Sequence, residues 1–176
     1  MAAIPYPLQP SAEVDRLPAP LNAFRLLAHA ETLIGPTIDL GLGILGSESL
    51  TPRDRELVVM TVAQATDCAY ELAQHTPIAR DAGLTPGQPP HASDPAVVTA
   101  VRQLLDSHTL SDEALAGLLG HFDHRQCVEI IMVTGYYAML AGLMNGLRVD
   151  IDPSGEHFTH LANRTSADVG SGSDHS

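Results

Sequence analysis

The chain has 176 residues, of which 44% are apolar and 17% charged, enough for one domain with a sizeable core and too apolar for a disordered polymer. Its formal charge is −12, with nine arginines and no lysine, a balance that makes nucleic acid and anionic membrane poor partners. Without lysine there is no Schiff-base chemistry and no Gly-Lys-Ser/Thr phosphate loop, and Cys68 and Cys127 are too few for a disulfide framework.

Residues 1–18 are proline-rich and read as an extended N-terminal arm suited to packing on a neighbouring subunit. Met1-Ala2-Ala3-Ile4-Pro5 has neither the basic residue nor the apolar core of a secretory signal. The longest apolar run, Ile130 to Leu147, is interrupted by Thr134, Asn145 and glycines, so no membrane span is expected and the cytoplasm is the expected location. Pro20 opens a helix through Leu21 to His29, which Gly35-Pro36 should end before a second apolar helix runs to about Gly46. Thr51 is an N-cap, followed by Pro52 at the first helical position and Asp54 in the first turn, and this helix should end near Thr66. Asp67 is expected to cap the next helix and Gly83 to stop it, while Pro77 predicts a kink just past His75. A loop over 84–93 leads to a helix from Asp94-Pro95 to about His108, then a short one capped by Ser111 through Leu119. The last helix runs from near Asp123 to about Arg148, where Gly135, Ala138, Ala141, Gly142 and Gly146 predict close approach by other helices. No segment alternates with period two, so the fold class is all-α, a single-domain helical bundle over 19–151 with a disordered tail over 152–176.

Two stretches place ionisable groups where a core should be. At roughly 100° per residue, Cys68, Glu71 and His75 fall within about 60° of one another on a face shared with Leu72, Ala79 and Ala82. Tyr70, Gln74 and Asp81 point the opposite way. In the preceding helix Glu56 shares its face with Val59, Met60 and Ala63. Buried carboxylates are costly unless paired or protonated. Glu56, Cys68, Glu71 and His75 are either a self-satisfied core cluster or a proton-transfer site. In the second case a buried glutamate serves as general acid or base and His75 relays the proton or polarises a carbonyl.

Leu50-Thr51-Pro52-Arg53, Arg55-Glu56-Leu57, Cys68-Ala69-Tyr70-Glu71, His75 and Ala82-Gly83-Leu84-Thr85 together resemble the carboxymuconolactone decarboxylase family, which includes the alkyl hydroperoxidase D-like enzymes. Asn22-Ala23-Phe24-Arg25, Ala28-His29 and the Glu129–Leu147 helix look like its flanking elements, so the resemblance covers roughly residues 20–150. It implies an all-helical domain that forms homo-oligomers, trimers or hexamers with dimers as the alternative, and a site near a subunit interface. In the peroxidase branch a Glu, a Cys-x-x-Cys pair and a His form a proton relay and a dithiol. Glu56, Cys68 and His75 match those positions, but Glu71 replaces the second cysteine, the one implied to attack peroxide. A dithiol cycle needs a resolving partner. The Tyr70-Glu71 and His75 pattern is similar to the decarboxylase branch. That branch implies loss of carbon dioxide, or proton movement, beside a carbonyl or lactone of a small molecule, with no cofactor.

The resulting expectation is a cofactor-independent acid–base enzyme with catalytic Glu56, Glu71 and His75 moving protons and Cys68 in the same site as lining or a minor redox group. His29, Tyr70 and Arg55 are expected to contact substrate, and Arg25, Arg53 and Arg80 are further candidates for a substrate carboxylate. A thiol peroxidase using Cys68 and a non-catalytic oligomeric binding module are the alternatives. Tyr136 and Tyr137 read as core or interface. His121, His124 and Cys127 are spaced by three but straddle a helix junction, so no metal is expected.

Overall fold

The computed structural model describes residues 1–9, 11–17, 19–85 and 90–152. Within them the fold is all-helical: α1 (Asn22–Leu27), α2 (Glu31–Leu45), α3 (Pro52–Ala65), α4 (Ala69–Asp81), α5 (Asp94–Ser107), α6 (Asp112–Leu119) and α7 (His124–Leu147), with a single 3₁₀ turn at Val14–Arg16. The expected tail, Asp152 apart, lies outside the described residues.

α3 is the hub, packing against α4, α5 and α7. Its Val58, Val59 and Val62 are wholly buried, each stabilising the fold by about 1.5–3 kcal/mol through the apolar surface removed from water. The start of α3 is set as its sequence dictates: Thr51 Oγ1 accepts the Asp54 N–H at 3.1 Å, satisfying one donor that the first turn leaves open. α6 starts in the same way on Ser111. α7 starts on a reciprocal capping box between Asp123 and Gln126, at 2.8 and 2.9 Å. By length and composition α7 could cross a bilayer, but half of that stretch is buried within this helical core.

Four expectations need correcting. Gly35-Pro36 does not separate two helices; both residues lie inside α2, and the chain breaks instead at Ala28–Ala30. A glycine before proline has no Cβ to meet the pyrrolidine ring, so the pair is tolerated in helical geometry. Asp67 is not the N-cap of α4. It adopts a left-handed conformation (φ 49°), a role that Asp accepts more readily than most residues, and Cys68 takes the cap position. The Cys68 N–H reaches back to the Ala63 carbonyl at 2.9 Å, so α3 reverses into α4 within a very short turn. Tyr70 and Gln74 do not face solvent but are buried, because α4 is covered on that side too. Gly135, Gly142 and Gly146 do not admit other helices of this chain, since all three lie on the exposed face of α7 with nothing near a would-be Cβ. The close approach is at Gly41 of α2, where a Cβ would collide with the Tyr136 hydroxyl.

The N-terminal arm lies against its own chain. The Ala3 N–H bonds the Leu147 carbonyl at 2.7 Å, and Asp150 accepts from the Ala2 N–H and pairs with the terminal amine. Leu17 and Leu21 then reach the cavity described next.

Candidate active site

The short α3–α4 turn sets Glu56 beside His75. Glu56 is fully buried, and its Oε2 lies 2.9 Å from His75 Nδ1. One turn earlier on α4, Glu71 places Oε2 3.4 Å from His75 Nε2. The imidazole therefore has a carboxylate at each ring nitrogen. The ring of Tyr137 from α7 meets it edge-on, centroids 5.1 Å apart at 88°.

Burial pushes the Glu71 carboxyl up to about 7, helped by the Glu56 charge and opposed by His75. For His75, burial disfavours the imidazolium, yet the Glu56 charge and hydrogen bond, with the Glu71 charge, outweigh it and raise the pKa. Glu71 and His75 act on each other's charge at close range, so their protonation is coupled. Two oxygens of this cluster, Glu56 Oε1 and Glu71 Oε1, are buried without a hydrogen-bond partner among the described residues. Buried unsatisfied oxygens are rare in native folds, and one at a cavity wall is available to a guest.

Glu71 and His75 line a partly open cavity of about 50 Å³. Its walls are apolar (Leu21, Phe24, Ile38, Leu42, Leu140 and Met144), with polar groups from Tyr70, Gln74, Tyr136 and Tyr137. That volume lies well below the roughly 300 Å³ of a ligand pocket. Burial raises the pKa of all three lining tyrosines, which keeps their hydroxyls protonated as donors. Tyr136 donates to the Thr37 carbonyl at 3.0 Å.

The expected site residues do not all meet here. Glu71, His75 and Tyr70 line the cavity, with Glu56 directly behind His75. Cys68 is buried in the main core and is not among the lining residues; burial pushes its thiol up. His29 is exposed and bonds the Pro5 carbonyl at 2.9 Å. None of the four candidate arginines lines the cavity. Arg25 stacks on Tyr6, Arg53 forks onto Asp94 with both contacts at 2.8 Å, Arg80 is exposed, and Arg55 lines a separate cleft. His121 and His124 are exposed while Cys127 is buried, and no metal-competent cluster occurs among the described residues.

Asp152 was not legible as part of the site, because its composition assigns it to the tail. Its carboxylate accepts from the Asn22 N–H at 3.1 Å, from Gln74 Nε2 at 3.4 Å and from the Tyr70 hydroxyl. It thereby fixes two polar groups of the cavity wall. Tyr136 and Tyr137, read as core or interface, contribute to that wall as well. Their signal was helical phase: the face of α7 that carries Val133, Leu140 and Met144 inward also turns these rings inward.

The carboxymuconolactone decarboxylase family model matches residues 37–102, from mid-α2 into α5, a span that includes Glu56, Cys68, Glu71 and His75. Among curated proteins, none matches the chain. The all-helical chain thus carries a carboxymuconolactone decarboxylase family domain across residues 37–102.

Proposed function

We propose that this protein is a cofactor-independent acid–base enzyme that moves a proton beside the carbonyl or lactone group of a small organic molecule, with or without loss of carbon dioxide. One observation carries the reading. Glu71, lifted by burial to about 7, sits at a cavity wall one helical turn from an imidazole that Glu56 anchors from behind. A carboxyl near its midpoint at neutral pH can both take and give a proton, an effect that contributes about 10²–10⁴ in rate.

Glu56 holds the Nδ1 side of His75, so Nε2 is the nitrogen that exchanges with Glu71. As base, Glu71 removes a proton from the carbon next to a carbonyl, and the electron pair moves onto the carbonyl oxygen. A tyrosine hydroxyl or the Gln74 amide stabilises that oxygen. As acid, Glu71 returns the proton to carbon, either at another position of the same enolate or at the carbon left by departing carbon dioxide. The described lining has no guanidinium and a nearly apolar wall, so a neutral carbonyl compound or lactone fits better than a polyanion. The thiol alternative would need Cys68 ionised, whereas burial holds it protonated.

Residence in the cytoplasm and assembly of identical subunits belong to the same proposal. Val128, Met132 and Met139 are each half-exposed or more on α7 (56, 50 and 51%) beside Gly135 and Gly142, an apolar face of the kind a subunit partner covers.

Solvent-deuterium incorporation into a panel of neutral lactones and 1,3-dicarbonyl compounds, followed by NMR, tests the chemistry. Glu71→Gln and His75→Ala should each lower exchange at least about a hundredfold while the helical circular dichroism is retained. Equal exchange in wild type and both variants would overturn the reading and leave a binding module.

A further inference from the structure

A second opening, independent of the Glu71 chemistry and sharing no lining residue with its cavity, lies between α2, the start of α3 and α7. It encloses about 280 Å³, near the size of a small-ligand pocket. Its walls are Leu40, Ile44, Leu50, Met132 and Val133, and its polar groups are Ser47, Arg55, Arg125 and Glu129.

Arg55 is the anomaly. It is only 3% exposed, and a guanidinium carries five N–H donors. Within the described residues it makes one hydrogen bond, from Nη1 to the Leu45 carbonyl at 3.2 Å. Its buried Nε has no hydrogen-bond partner. The nearest carboxylate oxygen, Glu56 Oε1, is 3.9 Å from that nitrogen, close enough for charge attraction and too far for a hydrogen bond. Glu56 cannot serve as the full partner, because its other oxygen is committed to His75 at 2.9 Å. A buried cation with idle donors is costly unless something fills the fork.

Glu129 is also occupied. Ser47 Oγ donates to its Oε2 at 2.7 Å and Arg125 Nε to its Oε1 at 3.0 Å. At the cleft the Arg125 guanidinium is matched by Glu129, while Arg55 has only the Glu56 charge 3.9 Å away and one carbonyl for its five donors.

We infer that this cleft is a second binding site, and that it takes a small monocarboxylate whose apolar body lies on Leu40, Ile44 and Leu50 while its two oxygens meet the Arg55 fork. A planar carboxylate matches that fork bidentately. Glu129 and Glu56 nearby disfavour a more highly charged anion, and the aliphatic walls favour a hydrocarbon body.

Benzoate and its neutral isostere benzamide are the probes, titrated into the full-length protein with binding read by ligand-observed NMR. Wild type should bind benzoate at least tenfold more tightly than benzamide, and Arg55→Gln should erase that preference. Because Arg55→Gln removes a buried charge and can unfold the chain, Gly43→Leu supplies the second variant. Gly43 lines the same cleft at an exposed helical position where an added Cβ meets nothing within 4 Å. Gly43→Leu should fill the space, keep the melting temperature and weaken benzoate at least tenfold. Equal affinity for the two probes, or undiminished benzoate binding by Gly43→Leu, would overturn the site. So would a subunit partner's acidic side chain in the fork, seen as no benzoate binding together with dissociation of the assembly by Arg55→Gln.

Discussion

Glu56 and Glu71, on successive helices, face opposite nitrogens of one imidazole, Glu56 at 2.9 Å from Nδ1 and Glu71 at 3.4 Å from Nε2. Two carboxylates and one histidine, all buried, cannot all carry charge cheaply, so Glu71 is pushed up to about 7 and holds its proton toward neutrality.

That retained proton makes stability depend on pH. Glu71 titrates near 4.5 when unfolded and near 7 when folded, so the folded chain binds the extra proton between those values. Its stabilising effect is full below about 4.5 and is lost as pH rises through 7, on the order of 3 kcal/mol at most. His75, raised from 6.5, acts in the same direction, its effect lost as pH rises through the folded value. Asp94, lowered from 3.8 chiefly by its hydrogen bond to Arg53, acts in the opposite direction but only in acid, where its effect is lost as pH falls through the folded value. Urea denaturation from pH 5 to 8 should show stability falling with pH in wild type and a shallower fall in Glu71→Gln. Parallel curves would refute the assignment.

Both thiols are buried and raised by burial. Native protein should react with a thiol reagent such as Ellman's only slowly, and quickly once urea is added. Cys68→Ala should leave proton exchange at the wild-type rate and cost about 1 kcal/mol of stability, for the sulfur removed from a packed core. A fast-reacting native thiol would reopen the peroxide chemistry.

Gly41 is the place where α2 and α7 press together. Gly41→Ala drives a methyl into the Tyr136 hydroxyl and disturbs its 3.0 Å bond to the Thr37 carbonyl. We expect a loss of about 1–3 kcal/mol by chemical denaturation, the usual range for overpacking. Gly142→Ala, at an exposed helical position open on all sides, should instead stabilise the isolated subunit by up to about 1 kcal/mol.

The apolar face of α7 carries the assembly proposal. Met139→Glu places a charge at a half-exposed position that the subunit's own core does not need. The variant should fold normally yet sediment as a single subunit, whereas wild type should sediment as an oligomer. Identical masses for the two would leave that face without a partner.

Much of this was legible in the residues because helix caps and helical periodicity are local. Thr51-Pro52 fixed the start of α3, and the spacing of Glu71 and His75 set both on one buried face. Tyr70 and Gln74 were placed wrongly because periodicity finds the most apolar face, and α4 is covered on two sides. Asp67 was misread because an aspartate suits a left-handed turn as well as a cap. Asp152, 82 positions from Tyr70, and Tyr137, which meets His75 from a different helix, join the site only through tertiary packing. No local rule contains such contacts.

The reversal at Asp67 has a wider consequence. It ties Glu56 to His75 across only 19 positions of chain, so the proton-handling pair forms within one helical hairpin, with little loop entropy to overcome. The surrounding chamber is recruited from distant stretches, Leu17 at one extreme and Met144 at the other. On the proposed function, the proton-transfer groups are local in sequence, while most of the walls that would select a guest are not. The chamber's distant walls on α2 and α7 can be reshaped to admit a different guest while the Glu56–His75 contact of the hairpin stays in place.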